Sequence, residues 1–320
     1  MPQLFLIFYS KGLITINKYN KLLETNIAGI RFASPLILGS GTITEKYSSM
    51  MLAFDFGAGG GVTRTLRLEP KREVFVPNVF VEKDEYMLNA DNQNLTKWDY
   101  WLDKVAKIEE RGRLLVSLSA REYNDCAEIA QSFEQASQPS AYEINFSCSH
   151  SAILYGRISY DTAKKALMGV REVTRRPIFL KLSLDNMNFE ELDKLEAEGL
   201  VDGYVLSNSI GPGLRIDIKT RRPFLKSVFG GMSGRGIKPL VLSGVHQLYE
   251  RTDLPIIGVG GVSTAEDVIE YLLAGASAVQ VYTAAHSNGV KIFDNISTKL
   301  IDFLKSEGLS IHDLVGNMDN

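Results

Sequence analysis

The sequence predicts one (β/α)8 barrel domain over residues 1–320, and three observations carry that prediction. Eight short apolar runs rich in branched residues recur along the chain. Most of them lack clean alternation, as expected of parallel strands covered on both faces. Helical patterns lie between them, which is the order of a TIM-type α/β fold.

The first four runs are 34–41, 59–64, 113–119 and 141–147; the second four are 177–183, 202–209, 255–261 and 278–284. Among the intervening patterns, 122–135 carries an apolar stripe of Cys126, Ile129 and Phe133, and 189–199 places Leu192 and Leu195 on one face. Ser263 and Thr264 followed by Glu266 and Asp267 read as a helix start with acids in its first turn. Two segments, about 65–96 and 210–235, are too long for simple barrel loops. Both leave the C-terminal ends of strands, where barrel enzymes build their sites, so they are expected to form lids or substrate walls.

With 320 residues, 45% of them hydrophobic, the chain can bury a large core. A formal charge of -3 gives no reason to expect a nucleic-acid partner. Two cysteines and no CxxC exclude a disulfide framework and argue against a cysteine-ligated metal or cluster within this chain. The four histidines, spread along the sequence, suggest no metal site. The apolar start, residues 1–16, is broken by Ser10, Lys11 and Gly12 and is too short to span a bilayer; it lacks a basic start and a small-residue cleavage site. It is expected to pack under the barrel, and the protein to be cytoplasmic and reduced.

The richest stretch is Glu143-Ile144-Asn145-Phe146-Ser147-Cys148-Ser149-His150, a buried strand running into polar and reactive side chains. Cys148 could take a proton from carbon if its thiolate fraction is raised. Cys126, on a helical stripe, reads as a buried small hydrophobe. His150 is open between contacting substrate, assisting Cys148 and facing water. Lys181 sits inside an apolar strand, where a charge needs an anion; the N1–O2 edge of a reduced flavin would supply one, against the alternative of a stem snorkelling from the rim. Asn145, Asn208, Ser209 and Asn89 offer groups able to read a planar ring of alternating N–H and C=O groups. Gly258 to Ser263 follows a strand and opens a helix, and Gln280 to Ala284 ends the last strand. Together they suit a phosphate site after strands seven and eight.

From about Leu23 onward the chain resembles the class 1 dihydroorotate dehydrogenases, flavin barrels of pyrimidine synthesis. Asn145-Phe146-Ser147-Cys148 is similar to the family's Asn-Leu-Ser-Cys stretch, and the resemblance gives Cys148 the role of base for the substrate's C5 proton. Gly230-Gly231-Met232-Ser233-Gly234 with Ile237-Lys238-Pro239 resembles the glycine-rich flavin loop. Residues 255–261 and 274–280 resemble the FMN phosphate end, Lys181 the flavin-contacting lysine, and Asn208-Ser209 the substrate pair. Two departures stand out: Cys148-Ser149-His150 where the family has Cys-Pro-Asn, and Arg64 where it has lysine at the end of strand two.

The resemblance implies FMN-dependent oxidation of (S)-dihydroorotate to orotate. Phosphate would rest on Gly260, Gly261, Tyr282 and Thr283, with the flavin ring against Ser40, Gly41, Lys181 and the Gly231 loop. The substrate ring would lie among Asn89, Asn145, Asn208, Ser209 and His150, with Arg64 meeting a substrate carboxylate or the reduced flavin. Cys148 takes a proton while hydride passes to flavin N5. Alternatives are the same chemistry on another dihydropyrimidine or an enone, a non-catalytic FMN-binding regulatory barrel, and a phosphate-sugar isomerase or aldolase barrel. The resemblance also implies a homodimer. The form of residues 216–223 is closer to members that pass electrons to a separate subunit carrying FAD and an iron–sulfur cluster than to those that use fumarate.

Overall fold

The computed structural model of the protein describes residues 21–69, 76–91, 96–146 and 156–319. Its strands, in chain order, begin with a short antiparallel hairpin, β1 (Thr25–Ile27) and β2 (Ile30–Phe32). Next come β3 (Leu36–Leu38), β4 (Gly60–Val62), β5 (Val79–Glu82), β6 (Tyr86–Asn89), β7 (Arg113–Ser119), β8 (Ala141–Asn145) and β9 (Ile178–Leu182). The series ends with β10 (Gly203–Leu206), β11 (Ile210–Gly213), β12 (Ile216–Asp217), β13 (Arg222–Pro223), β14 (Gly230–Ser233), β15 (Ile256–Val259) and β16 (Ala278–Val281). Strands β3, β4, β7, β8, β9, β10, β15 and β16 close into a parallel barrel in that order.

All eight predicted strands are therefore present, and most are shorter than their apolar runs. The trimmed C-terminal residues are those that turn out into the barrel mouth, such as Ser40 and Gly41 after β3 and Asn208 and Ser209 after β10. The predicted helices appear at Tyr123–Ala136 and Phe189–Ala197. A third, Ala265–Leu273, is capped by Thr264, whose hydroxyl accepts from the Asp267 N–H.

Alternate positions along each strand face the barrel axis, which explains the two-layered interior. The lower layer is apolar: Ile37, Val62, Leu115, Ala141, Phe179, Val205, Ile257 and Ala278 pack with Ile27 and Phe32 of the hairpin, which closes the bottom. One register step higher the same faces carry Glu143, Lys181 and Gln280, all buried. The polar layer can form because the hairpin seals one end and the polar groups satisfy one another.

The two long segments do not act separately. Strand β6 from the first pairs with β14 from the second, with Asn89 opposite Gly231, Leu88 opposite Met232 and Met87 opposite Ser233. With β5 and β11 on the outer edges they make one four-stranded antiparallel sheet over the barrel mouth. Residues 1–16, expected to pack beneath the barrel, lie outside the described residues. Among the described residues no helix is long and apolar enough to cross a membrane.

Candidate active site

A cleft of about 300 Å³ opens between the C-terminal ends of the barrel strands and the cap sheet. Its wall includes Ser40, Gly41, Arg64, Asn89, Asn145, Lys181, Asn208, Ser209, Gly260, Gly261, Tyr282 and Thr283. Twelve residues singled out in the sequence thus converge on one space, although they come from segments more than 240 positions apart. Gly231 is buried in β14 opposite Asn89, and Ser233, Gly234 and Arg235 form the nearby wall. Cys148 and His150 lie outside the described residues; β8 ends at Asn145, three positions before Cys148.

At the floor of the cleft Lys181 has its anion from within the protein. Its Nζ donates to Glu143 Oε1 at 3.3 Å and to Gln280 Oε1 at 3.0 Å, and Gln280 Nε2 donates to Glu143 Oε2 at 2.6 Å. The Glu143 side chain is fully buried and that of Lys181 is 7% exposed. A buried charge is tolerated only when paired and hydrogen-bonded, and this triangle does both. Glu143 and Gln280 fall in stretches singled out from the sequence, but their pairing with Lys181 emerges only in the structure. The available signal was that Lys181 and Glu143 are charges flanked on both sides by apolar strand residues.

Along one side runs a chain of side-chain amides and hydroxyls. Asn208 Nδ2 donates to Asn145 Oδ1 at 3.0 Å, and Asn145 Nδ2 donates to Thr65 Oγ1 at 3.1 Å. The Thr65 hydroxyl lies 3.1 Å from that of Ser117. Asn208 also accepts from the Ser209 N–H at 2.8 Å. These bonds fix the planes of the two amides before any ligand arrives, which lowers the entropy of recognition.

On the opposite wall the glycine turns present backbone. A Cβ on Gly261, whose φ is +73°, would stand 2.8 Å from Lys238 Cβ and 3.0 Å from the Gly234 carbonyl oxygen. The loop is held from behind by Asp267, which accepts from the N–H groups of Ser263 and Thr264 and from Lys238 Nζ at 2.6 Å. Burial works to raise the Asp267 pKa, but the Lys238 and Ser263 bonds together hold it below the ordinary carboxylate value. The Tyr282 hydroxyl accepts from the Thr42 N–H at 3.0 Å, and Thr283 donates to the Ser233 hydroxyl at 2.9 Å. A turn with no room for side chains beside a helix start fits a phosphate, and Lys181 at the cleft floor fits the polar edge of a flavin ring.

Arg64, expected to meet a substrate carboxylate or the reduced flavin, lines the cleft and is also paired within the protein. Its Nη1 donates to Glu45 Oε1 at 2.6 Å and its Nη2 to Asp91 Oδ2 at 2.9 Å. Asp91 in turn donates its backbone N–H to Asn89 Oδ1 at 2.7 Å. Among the described residues, no group of three or more His, Cys, Asp or Glu is arranged to hold a metal ion.

A closed parallel barrel whose one polar cleft layer sits at the strand C-termini is the architecture of a TIM-barrel enzyme. A family model described as dihydroorotate dehydrogenase matches residues 22–304. A protein of Pyrococcus horikoshii named dihydroorotate dehydrogenase B (NAD(+)), catalytic subunit, is 35% identical over 301 residues, covering 92% of this chain and 97% of its own. Proteins of the same name from Methanocaldococcus jannaschii and Thermoplasma acidophilum are 34% and 32% identical; each alignment covers 92% of this chain, and 97% and 98% of the relative. The chain belongs to the dihydroorotate dehydrogenase family, and it is a flavin-dependent oxidoreductase acting on a CH–CH group.

Proposed function

We propose that this protein oxidises (S)-dihydroorotate to orotate with FMN as its flavin. The observation that carries the proposal is the convergence of the fixed amides of Asn145 and Asn208 with Lys181 and the glycine turns in one cleft. Bound FMN would supply the hydride acceptor.

The chain's own residues do the rest. Gly260, Gly261 and the Ser233–Arg235 turn present backbone and hydroxyl groups for the phosphate. Asn89, Asn145, Asn208 and Ser209 hold the substrate ring by its alternating donors and acceptors. The Cys148 thiolate takes the C5 proton and becomes a thiol, which returns the proton to solvent. The neighbouring carbon loses hydride, so the ring gains one C=C bond. Lys181, anchored by Glu143 and Gln280, keeps a positive charge at the floor where negative charge develops. The relatives' names include both NAD(+) and catalytic subunit, which supports electron exit from this chain to a separate subunit carrying FAD and an iron–sulfur cluster.

Anaerobic titration of the FMN-loaded protein with dihydroorotate tests the proposal. Stoichiometric bleaching of the visible flavin band is the expected result. Cys148→Ala should keep FMN and lose at least about a hundredfold in the rate of bleaching, the usual scale of a general base. Bleaching at the wild-type rate would remove Cys148 from the mechanism.

A further inference from the structure

The charges at the cleft floor are arranged in depth. Lys181 and Gln280 line the cleft, whereas Glu143 does not and is fully buried behind them. A carboxylate only accepts hydrogen bonds. Glu143 Oε2 therefore takes the Gln280 Nε2 donor at 2.6 Å, which turns Gln280 Oε1 toward Lys181 Nζ at 3.0 Å. An ammonium has three N–H groups, and the triangle uses two of them. Seen from the cleft, the ammonium comes first and the carboxylate stands 3.3 Å behind it, so the pair presents a dipole of zero net charge. Such a dipole stabilises an anion less than a bare ammonium does.

We infer that Glu143 is a positioning residue that lowers the flavin's affinity for electrons by sharing the Lys181 ammonium, with Gln280 as the brace that holds the two in line. This inference rests on the proposed reading that FMN lies with its polar edge at Lys181. Reduction puts negative charge on that edge, and charge placed near it tunes the ring. Lys181 draws the negative charge in, and Glu143 limits how strongly. An ammonium without its carboxylate would hold the reduced ring more tightly and release electrons to an acceptor less readily. The buried carboxylate thus acts on the cofactor without touching it.

The test reads FMN-loaded protein without turnover, at about pH 6, far below the ordinary lysine value of about 10.4. Sulfite is the probe: its sulfur lone pair forms a bond to flavin N5, and the displaced electron pair puts negative charge on the N1–C2=O edge. Glu143→Gln keeps the shape and removes the charge. It should bind sulfite about tenfold more tightly, equivalent to a rise of about 30 mV in the two-electron midpoint potential, which dye-coupled reduction reads directly. The exchanged pair Glu143→Gln, Gln280→Glu restores zero charge and an acceptor for each donor, so its sulfite affinity should return to within about twofold of wild type. Glu143→Met carries the same expectation as Glu143→Gln if the latter fails to load FMN. A purely structural Glu143 would leave sulfite binding unchanged or weaker in the single variants, and that result overturns the inference. So does an exchanged pair that stays at the Glu143→Gln value. If sulfite follows the expected pattern but dihydroorotate bleaches none of these proteins, the role of Glu143 stands and the proposed substrate falls.

Discussion

Lys181 Nζ lies 3.3 Å from Glu143 Oε1 at the centre of the barrel, across the β8–β9 pair. The ion pair sits one layer above an apolar plug, at the floor of the cleft. Its geometry makes Glu143 a structural partner first: without it, an uncompensated ammonium remains in a dry interior.

Glu143→Ala should therefore destabilise the protein by about 3–5 kcal/mol, the usual result of breaking a buried pair from one side. The double variant Glu143→Ala, Lys181→Met should recover part of that loss, because no orphan charge remains. Urea midpoints of the three proteins check this; equal losses in single and double variants would show that the charge is not what the pair protects.

The two cysteines should differ sharply in reactivity. Cys126 donates to the Ser119 carbonyl, and burial pushes its thiol up to about 12. Its thiolate is thus negligible near about pH 8, and the nucleophile is the thiolate. The stability that this burial represents is present below the unfolded thiol value of about 8.5 and is lost as pH rises toward the folded value. Native protein should take up one equivalent of iodoacetamide near about pH 8, Cys148→Ala should take up none, and both should gain one more on unfolding. Mass spectrometry reads the count directly.

Asp267 should make the glycine turn before Ser263 and Thr264 acid-sensitive. Its folded pKa is held below the ordinary value, so its contribution is complete above about 3.9 and is lost as pH falls through the folded value. Asp267→Ala removes a capping-box partner and the acceptor for Ser263 and Thr264 together. A loss of about 1–2 kcal/mol is expected, with weaker FMN retention at neutral pH. Retained FMN after gel filtration, alongside the thermal midpoint, measures both.

The barrel was legible because parallel strands covered on both faces leave mainly apolar runs, and eight such runs recur even though Glu143, Lys181 and Gln280 interrupt three of them. The cleft residues were legible where polar side chains followed such a run directly, as Asn145 and Asn208 do. The pairing of Glu143 and Gln280 with Lys181 escaped because it depends on a third strand: each looks like an isolated polar residue until the barrel closes and brings it to Lys181. Arg64 was identified as a site residue, but its partners Glu45 and Asp91 come from segments 19 positions before it and 27 after it, and no local pattern links them. The pairing of β6 with β14 is likewise invisible, since neither strand alternates and over 130 residues separate them.

That pairing also bears on how such a barrel can change. Asn89 stands opposite Gly231, so the cleft-lining strand β6 and the glycine-rich strand β14 complete each other's ladder. Cutting out either insertion leaves the other with a bare strand edge over the mouth. Exchanging one of them alone separates strands that pair in this chain, whereas exchanging both keeps the pair together. The two segments, distant in the gene, are a single heritable part.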